Sequence, residues 1–357
     1  MHPLVRFGHP ILGAPELDGI ADVLARRRLT QGGRVKQFEE RFQDYVGGGR
    51  AVAVSSCMAA LHLFWLAKGI GPGDEVIVPA LTHVATAHAV AITGARPVFV
   101  DCHPEFGNMD QRAIEAAITP RTKGICVVHY LGIAGYMKSV AEVATRYNLP
   151  LLEDCALALG TIHDGSGKHV GLIGDAGCFS FHPVKAITTG EGGILLTKHA
   201  GLGEEVARLR SFGLDDNLDS HAIGLNYRMT EMQAVMGVAQ LARFPELLER
   251  RKANSALLKS LLAEFSPIGG SYAVSVRVPD GKDRDEVRGE MLTRRVETSV
   301  YYKRPVPDMP VYRKLYGEQI CPVAREFCHQ RLTLPVGPHL KQSRIELIAA
   351  EFRRALA

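Results

Sequence analysis

The chain has 357 residues, of which 46% are hydrophobic and 22% are charged, close to the averages of ordinary globular proteins. This length suits one large domain with a smaller appendage, and the composition excludes an intrinsically disordered chain. The net charge is only +4, and the basic residues are not interleaved with aromatic ones, so we expect no nucleic-acid partner. The apolar runs are too short for a membrane span, and residues 1–20 lack the layout of a signal peptide. These features predict a cytoplasmic protein.

The cysteines and histidines give no sign of disulfides or of a metal site. The seven cysteines are scattered, odd in number and without a Cys-x-x-Cys pair, so we expect buried free thiols in a reducing compartment. The fourteen histidines include no His-x-x-x-His pair, and we predict no metal ligands among them.

The first half of the chain alternates between short apolar runs and segments with helical spacing. Helical segments at 17–28 and 35–45 come first. Strand-like runs then cover residues 51–55, 75–78, 97–101, 124–129 and 149–154, with amphipathic segments between them. This alternation predicts an α/β fold whose sheet is mostly parallel and covered by helices.

The second half changes character. Two strand-like runs, 177–181 and 193–197, are joined by a loop that contains lysine and glycine instead of a helix. A long helical stretch covers 230–262, and we predict a break near Pro245 because proline cannot donate a helix hydrogen bond. Strand-like runs at 272–278 and 297–302 flank a helical segment at 284–293. We therefore predict a large domain over residues 1–245 and a smaller α+β domain over residues 246–357.

Polar residues stand at the carboxyl ends of three predicted strands, where parallel sheets bind ligands. Ser56 opens a strand-to-helix turn, and such turns bind phosphate through free amide groups. Asp154 ends a buried strand and needs a partner there. It is either a helix cap or a carboxylate that pairs with a cationic ring nitrogen.

Lys185 lies five residues after Ser180 and shortly before the turn Gly190-Glu191-Gly192-Gly193. Its neighbours are apolar or small, which favours a lowered amine pKa and the formation of a Schiff base. A single loop lysine is more commonly a surface residue. In combination with Asp154 and two phosphate-binding turns, however, Lys185 favours pyridoxal phosphate (PLP) chemistry.

Four runs resemble the DegT–StrS aminotransferase family and occur in the family's order. They are VSSCMAALHLFWLAKGIGPGDEVIVPALTHVATAHAV, LLEDCALALG, GDAGCFSFHPVKAITTGEGG and GLNYRMTEMQAVMGVAQL. The similarity extends over residues 30–340. It implies the fold-type-I PLP transferase fold and an enzyme that aminates keto-sugars, most of them linked to nucleotides.

The resemblance also implies roles for individual residues. Lys185 would form the Schiff base with PLP, and Asp154 would keep the pyridine nitrogen protonated. Ser180 and the backbone amides of Cys57 and Met58 would hold the phosphate.

Further roles follow from the same resemblance. His83 would stack on the cofactor ring, and Asn226 would reach the phosphate of the neighbouring subunit, which implies a homodimer with shared active sites. The chain departs from the family at several positions. Cys57 and Met58 replace Gly-Thr, which removes a phosphate-binding hydroxyl. Leu157 replaces a Gln or Glu near the ring, Ala186 replaces an Asn, and His83 replaces Phe, Tyr or Trp.

The same residues bear on alternatives to an aminotransferase. The strand-to-helix turn lacks the Gly-x-Gly-x-x-Gly of a dehydrogenase, and Gly167-Lys168 lacks the context of a P-loop. Lys185 argues against a PLP sugar dehydratase, which has histidine at that position. The function predicted is amino transfer from an amino acid, with glutamate expected, to a keto-sugar by a ping-pong mechanism. A non-nucleotide keto-sugar or cyclitol as acceptor, and a regulatory PLP-binding protein without turnover, stay open.

Overall fold

The computed structural model describes residues 2–30 and 32–357. Its strands fall into two sheets. The strands are β1 (Arg50–Val54), β2 (Glu75–Pro79), β3 (Arg96–Val100), β4 (Thr122–Val128), β5 (Leu151–Asp154), β6 (Ala176–Ser180), β7 (Gly193–Thr197), β8 (Ala273–Arg277) and β9 (Arg331–Pro335). The larger sheet has seven strands in the order β1-β7-β6-β5-β4-β2-β3, and β8 pairs with β9 in the smaller one.

The large sheet is parallel except for one strand. Strands β2 to β6 pair in parallel with their neighbours, whereas β7 runs antiparallel to both β1 and β6. The predicted alternation of strands and helices is confirmed. The reversal at β7 agrees with the connection after β6, which contains no helix, because parallel neighbours are usually joined through a crossover helix.

Twelve α-helices lie among the described residues. They are α1 (Ala14–Arg26), α2 (Gly33–Val46), α3 (Cys57–Ala67), α4 (Val84–Ala91), α5 (Gln111–Ile114), α6 (Met137–Arg146), α7 (Ala200–Leu209), α8 (Glu231–Leu261), α9 (Arg284–Thr293), α10 (Pro310–Tyr316), α11 (Pro322–Gln330) and α12 (Gln342–Leu356). None of the helices in these residues is long and apolar enough to cross a membrane.

Helices cover both faces of the large sheet, and alternate residues of β1 show this directly. Val52 and Val54 pack in the cluster that contains Phe64 and Trp65 of α3, while Ala51 and Ala53 pack in the cluster of α2. Side chains of a strand point alternately to the two faces, so each strand contributes to both clusters. All seven cysteines are free thiols, and all except Cys57 are buried, as the sequence predicted.

The predicted break at Pro245 is wrong, because α8 continues through it from Glu231 to Leu261. A proline inside a helix costs about 3 kcal/mol. Four apolar side chains around Pro245 are buried, and their packing offsets that cost; they are Leu241, Phe244, Leu247 and Leu248. The predicted domain boundary at 245 lies within this helix, and the division into two domains stays a proposal.

The predicted strand at 297–302 is also wrong. Only Ser299 pairs with β9 there, in an isolated bridge to Thr333, and the chain then turns away. Tyr301 and Tyr302 are thereby directed toward the end of the large sheet, where they line the cavity described below. The predicted helix at 284–293 is confirmed as α9.

Candidate active site

The reversed strand β7 brings distant parts of the chain to one edge of the large sheet. Gly193, its first residue, pairs with Val54 of β1 on one side and with Ser180 of β6 on the other. A Cβ atom on Gly193 would lie 2.5 Å from the amide nitrogen of Cys57. Only glycine therefore allows the start of α3 to pack directly against β7.

A cavity of about 340 Å³ lies at this edge. Every predicted site residue except Asn226 lines it; these residues are Cys57, Met58, His83, Asp154, Leu157, Ser180 and Lys185. Residues for which the sequence analysis gave no role also line it, among them Thr82, Glu191, Tyr301 and Tyr302. The predicted residues thus come together around one enclosed space.

The Asp154 carboxylate is held at the end of β5 by two hydrogen bonds. Thr86 in the first turn of α4 donates its hydroxyl to Oδ2 at 2.8 Å, and the Ala156 amide donates to Oδ1 at 3.1 Å. Asp154 is 5% exposed and has no salt bridge among the described residues. Its negative charge is therefore stabilised by neutral donors and remains available to a cation in the cavity.

The start of α3 offers unused donors to the cavity. Ser56 caps the helix by accepting a hydrogen bond from the Ala59 amide at 3.1 Å. The amides of Cys57 and Met58 precede it in the first turn and have no acceptor among the described residues. Across the β7 strand, the Ser180 hydroxyl accepts only a long 3.5 Å contact from the His182 amide. Free amides at a helix N-terminus together with a hydroxyl form a suitable site for an anion.

Lys185 carries the amine inside the cavity. Burial lowers the pKa of the Lys185 ammonium below its usual value, and the charges of Asp154 and Glu191 oppose this shift. Its Nζ atom lies 5.7 Å from the centroid of the Tyr272 ring. Lys185 is half-buried, and an amine with a lowered pKa is more readily neutral, and so more nucleophilic, than a surface lysine.

His83 stands at the rim of the cavity and is the N-cap of α4. Its Nδ1 accepts a hydrogen bond from the Ala85 amide at 3.2 Å, and its ring meets the edge of Tyr302 at 6.0 Å between centroids. Desolvation lowers the pKa of His83 below its usual value although the residue is exposed, and the positive charge of Lys185 adds to that shift. The lowered pKa favours the uncharged ring at neutral pH. Leu157 is 7% exposed and gives the cavity an apolar wall.

Asn226 does not lie in the cavity of its own chain. It is exposed, and its Oδ1 accepts a hydrogen bond from Arg228 Nε at 3.1 Å. The segment that carries it also exposes the large apolar side chains of Phe212, Leu218 and Ile223. Its predicted position at the phosphate of a second subunit stays a prediction.

The tyrosines of the cavity were missed in the sequence analysis. The hydroxyls of Tyr272 and Tyr301 lie 2.6 Å apart, and Tyr130 donates its hydroxyl to the carbonyl of Tyr301. Burial raises the pKa of Tyr302 well above its usual value, so its hydroxyl stays protonated. The adjacent tyrosines Tyr301 and Tyr302 could have indicated a binding site. They were instead assigned to the predicted strand at 297–302.

Beneath the cavity, Glu153 and His129 form a fully buried pair. His129 Nε2 lies 2.9 Å from the Glu153 carboxylate, which also accepts hydrogen bonds from the amides of Gly171, Ile173 and Gly174. The carboxylate is therefore surrounded by N–H groups. This network fixes the strand end that carries Asp154.

The family comparison agrees with this geometry. Residues 10–353 match the model of the DegT/DnrJ/EryC1/StrS aminotransferase family. The chain belongs to this family. It is therefore an aminotransferase, and aminotransferases of this family are PLP-dependent.

Individual relatives cover nearly the whole chain. It is 35% identical to a GDP-perosamine synthase of Caulobacter vibrioides, over 99% of both chains. It is also 35% identical to a UDP-N-acetyl-3-dehydro-alpha-D-glucosamine 3-aminotransferase of Acidithiobacillus ferrooxidans, over 95% of this chain and 93% of the relative. Among solved structures, the PLP form of Streptococcus pneumoniae Spr1654 superposes with a TM-score of 0.92 at 29% identity, covering 99% of this chain and 98% of that one. The predicted fold-type-I PLP transferase fold is confirmed.

Proposed function

We propose that this aminotransferase binds PLP through Lys185 and transfers an amino group from an amino acid to a nucleotide-linked keto-sugar. The observation that carries the proposal is the convergence in one cavity of the Lys185 amine, the Asp154 carboxylate and the unpaired amides of Cys57 and Met58. The names of the relatives, which include nucleotide-sugar enzymes, support the sugar acceptor.

The unpaired groups match the chemical groups of PLP one by one. The Cys57 and Met58 amides and the Ser180 hydroxyl suit a phosphate, and the Asp154 carboxylate suits a protonated ring nitrogen. The Lys185 amine suits an aldehyde. Although Met58 stands where the family has a hydroxyl, the two backbone amides supply donors of the same kind.

When bound, PLP supplies an aldehyde that accepts the amino group and a ring that withdraws electrons from the reacting carbon. Lys185 then moves the proton. Its Nζ atom would take a proton from the α-carbon of the donor and deliver it to the former aldehyde carbon. In the second half-reaction it would carry a proton in the opposite direction, to the carbon of the acceptor, and its lowered pKa suits both tasks. Asp154 holds a proton on the ring nitrogen throughout.

Part of the cavity wall suits the ring of a sugar. Tyr301, Tyr302 and Leu157 present aromatic and apolar surface, which packs against the C–H face of a sugar ring. We propose glutamate as the amino donor and a ping-pong order of the two half-reactions, since both substrates must reach the same Lys185.

Assembly and location are part of the proposal. We infer a homodimer in which Asn226 of each subunit contributes to the other site, since Asn226 is exposed beside exposed apolar side chains. We propose that the enzyme acts in the cytoplasm, and that residues 1–245 bind the cofactor while residues 246–357 form the smaller domain.

A substrate screen tests the function. The protein is loaded with PLP, converted to the amino form with L-glutamate, and mixed with 4-keto and 3-keto sugars in nucleotide-linked and free form. We expect one equivalent of 2-oxoglutarate in the first step and an aminated nucleotide sugar in the second, each identified by mass spectrometry. Aspartate, alanine and glutamine as donors test the choice of glutamate.

Lys185→Ala is the matched negative control. Equal conversion of free and nucleotide-linked sugars would contradict the acceptor class. Cofactor binding without conversion of any keto-sugar would favour the regulatory alternative.

A further inference from the structure

Two threonines form a hydrogen-bonded chain that ends on Asp154. The hydroxyl of Thr82 lies 2.7 Å from that of Thr86, which donates to Asp154 Oδ2 at 2.8 Å. All three residues are buried, with exposed fractions of 2%, 0% and 5%. Neither hydroxyl has a backbone partner among the described residues, so their polar groups serve only each other and Asp154.

The direction of the chain follows from counting hydrogens. A hydroxyl has one hydrogen to donate, and that of Thr86 points to the carboxylate. Thr82 must therefore donate to Thr86. Each hydroxyl polarises the next in the same direction, which strengthens the final bond to the anion.

The helix α4 makes this chain possible. Thr82 precedes the N-cap His83, and Thr86 is in the first turn, so the two side chains are neighbours at a spacing of four residues. The first turn of a helix also carries partial positive charge, which favours a carboxylate placed against it. Thr82 in turn lines the cavity, so the chain extends from the cavity wall to the buried side of Asp154.

We propose that Thr86, supported by Thr82, is a positioning residue that fixes the orientation of the Asp154 carboxylate toward the ring nitrogen of the cofactor. This inference rests on the proposed function, because it assigns the ring nitrogen to Asp154. With the Ala156 amide on Oδ1 and Thr86 on Oδ2, neither oxygen can rotate out of place. Without the Thr86 hydroxyl, the Asp154 carboxylate keeps only the hydrogen bond from the Ala156 amide. The carboxylate can then rotate away from the cavity.

Isosteric variants test this on the whole protein. Thr86→Val keeps the shape of the side chain but loses the hydroxyl, and Thr86→Ser keeps the hydroxyl. We expect Thr86→Val to raise the Kd of PLP about tenfold or more, as for loss of a hydrogen bond to a charged group, and to alter the visible absorption and circular dichroism of the bound cofactor. Thr86→Ser should restore both, and Thr82→Val should show a smaller change in the same direction.

Thr197→Val is the control. Thr197 is also fully buried, and its hydroxyl bonds to the Asp175 carbonyl at the opposite edge of the sheet. The Thr197→Val variant should lower the melting temperature of the apoprotein without changing the affinity for PLP or the visible spectrum of the bound cofactor. If Thr86→Val does not fold, Thr82→Val still tests the positioning role. The Thr82 variant removes the hydroxyl that donates to Thr86.

The outcomes separate the two claims. Wild-type affinity and spectrum in both Thr86→Val and Thr82→Val would overturn the positioning role and leave the proposed function intact. A change in Thr86→Val that Thr86→Ser does not restore would also overturn it, since the hydroxyl would not be the cause. Failure of the wild-type protein to bind PLP would overturn the proposed function, and this inference with it.

Discussion

The Lys185 Nζ atom lies over the ring of Tyr272, 5.7 Å from its centre. The Tyr272 hydroxyl lies 2.6 Å from that of Tyr301, and the backbone carbonyl of Tyr272 accepts a hydrogen bond from Arg251. A cation above an aromatic face gains about 0.5–2 kcal/mol. The two residues are far apart in the chain, and their contact links the Lys185 loop to the segment that precedes β8.

The first prediction concerns covalent attachment of the cofactor. The purified protein should be yellow, and borohydride reduction followed by peptide mapping should find the pyridoxyl group on Lys185. Lys185→Ala should bind PLP without covalent attachment. A label on another lysine, such as the neighbouring-loop Lys198, would contradict the central assignment.

The second prediction concerns pH. Because burial lowers the pKa of Lys185, its amine becomes neutral, and able to attack an aldehyde, at a lower pH than an ordinary lysine. The rate of PLP attachment should therefore rise with pH and level off below the usual lysine pKa. Tyr272→Leu removes the ring that stabilises the charged form, so this midpoint should fall further. Tyr272→Phe keeps the ring, so its pH midpoint should stay close to that of the parent. A higher midpoint in Tyr272→Leu would exclude a stabilising cation–ring contact.

The third prediction concerns the shared site. Asn226→Ala and Lys185→Ala homodimers should both be inactive or nearly so, because each lacks one component of every site. Mixed and refolded together, they should form heterodimers with one intact site and recover about a quarter of the parental activity per dimer, as expected for random pairing in equal amounts. Sedimentation gives the oligomeric state in parallel. A fully active monomer would contradict the shared arrangement.

The fourth prediction separates two roles of His83. If its ring stacks on the cofactor, His83→Phe should retain PLP and His83→Ala should weaken binding. His83 also caps α4, and loss of a cap costs about 1 kcal/mol of stability. His83→Asn restores the cap without the ring, so it should keep the melting temperature of the apoprotein yet bind PLP as weakly as His83→Ala. Parental affinity in His83→Asn would show that only the cap matters.

The fifth prediction concerns the Glu153–His129 pair. Burial opposes ionisation of Glu153, but hydrogen bonds from His129 and from the Gly171 and Gly174 amides hold its pKa below the usual value. A lowered carboxyl pKa contributes stability above the unfolded-state value of about 4.3, and this contribution is lost as the pH falls through the folded-state value. Glu153→Gln should therefore cost about 1.5–3 kcal/mol at pH 7, the cost of losing hydrogen bonds to a buried charged group.

Thermal unfolding from pH 7 down to pH 3 measures this effect. The difference between the parent and Glu153→Gln should shrink as the pH falls below about 4. Glu246→Gln is the matched control, since Glu246 pairs with Arg250 on the surface with both side chains more than half exposed. It should change stability by less than about 1 kcal/mol. A stability difference between parent and Glu153→Gln that is constant at all pH values would show that ionisation of Glu153 does not contribute to stability.

The sequence predicted the fold well wherever local patterns determine it. Short apolar runs located the strands, and helical spacing located α9 to the residue. It failed at Pro245, because the burial of neighbouring side chains outweighs the local cost of proline and cannot be seen in the local pattern. It also failed at 297–302, where β-branched and aromatic residues serve the cavity and do not form a strand.

The candidate site was predictable in part for a related reason. Lys185, Asp154 and Ser180 follow strands whose carboxyl ends share an edge, so the sheet alone brings them together. Thr86 was not predicted, because its importance depends on a contact between α4 and β5 that no spacing in the sequence encodes. Tyr272 came from a distant segment, and nothing in its neighbourhood identifies it as a partner of Lys185.

The reversed strand β7 also has a consequence for how the protein folds. Hairpin β6–β7 joins residues that are close in the chain, and it can form early. The pairing of Val54 with Gly193 instead closes a very long loop, and the turn at Cys57 packs against β7 only after that closure. A ligand held by this turn therefore binds a nearly native chain. Such a ligand slows unfolding, whereas it leaves the early steps of folding unaided.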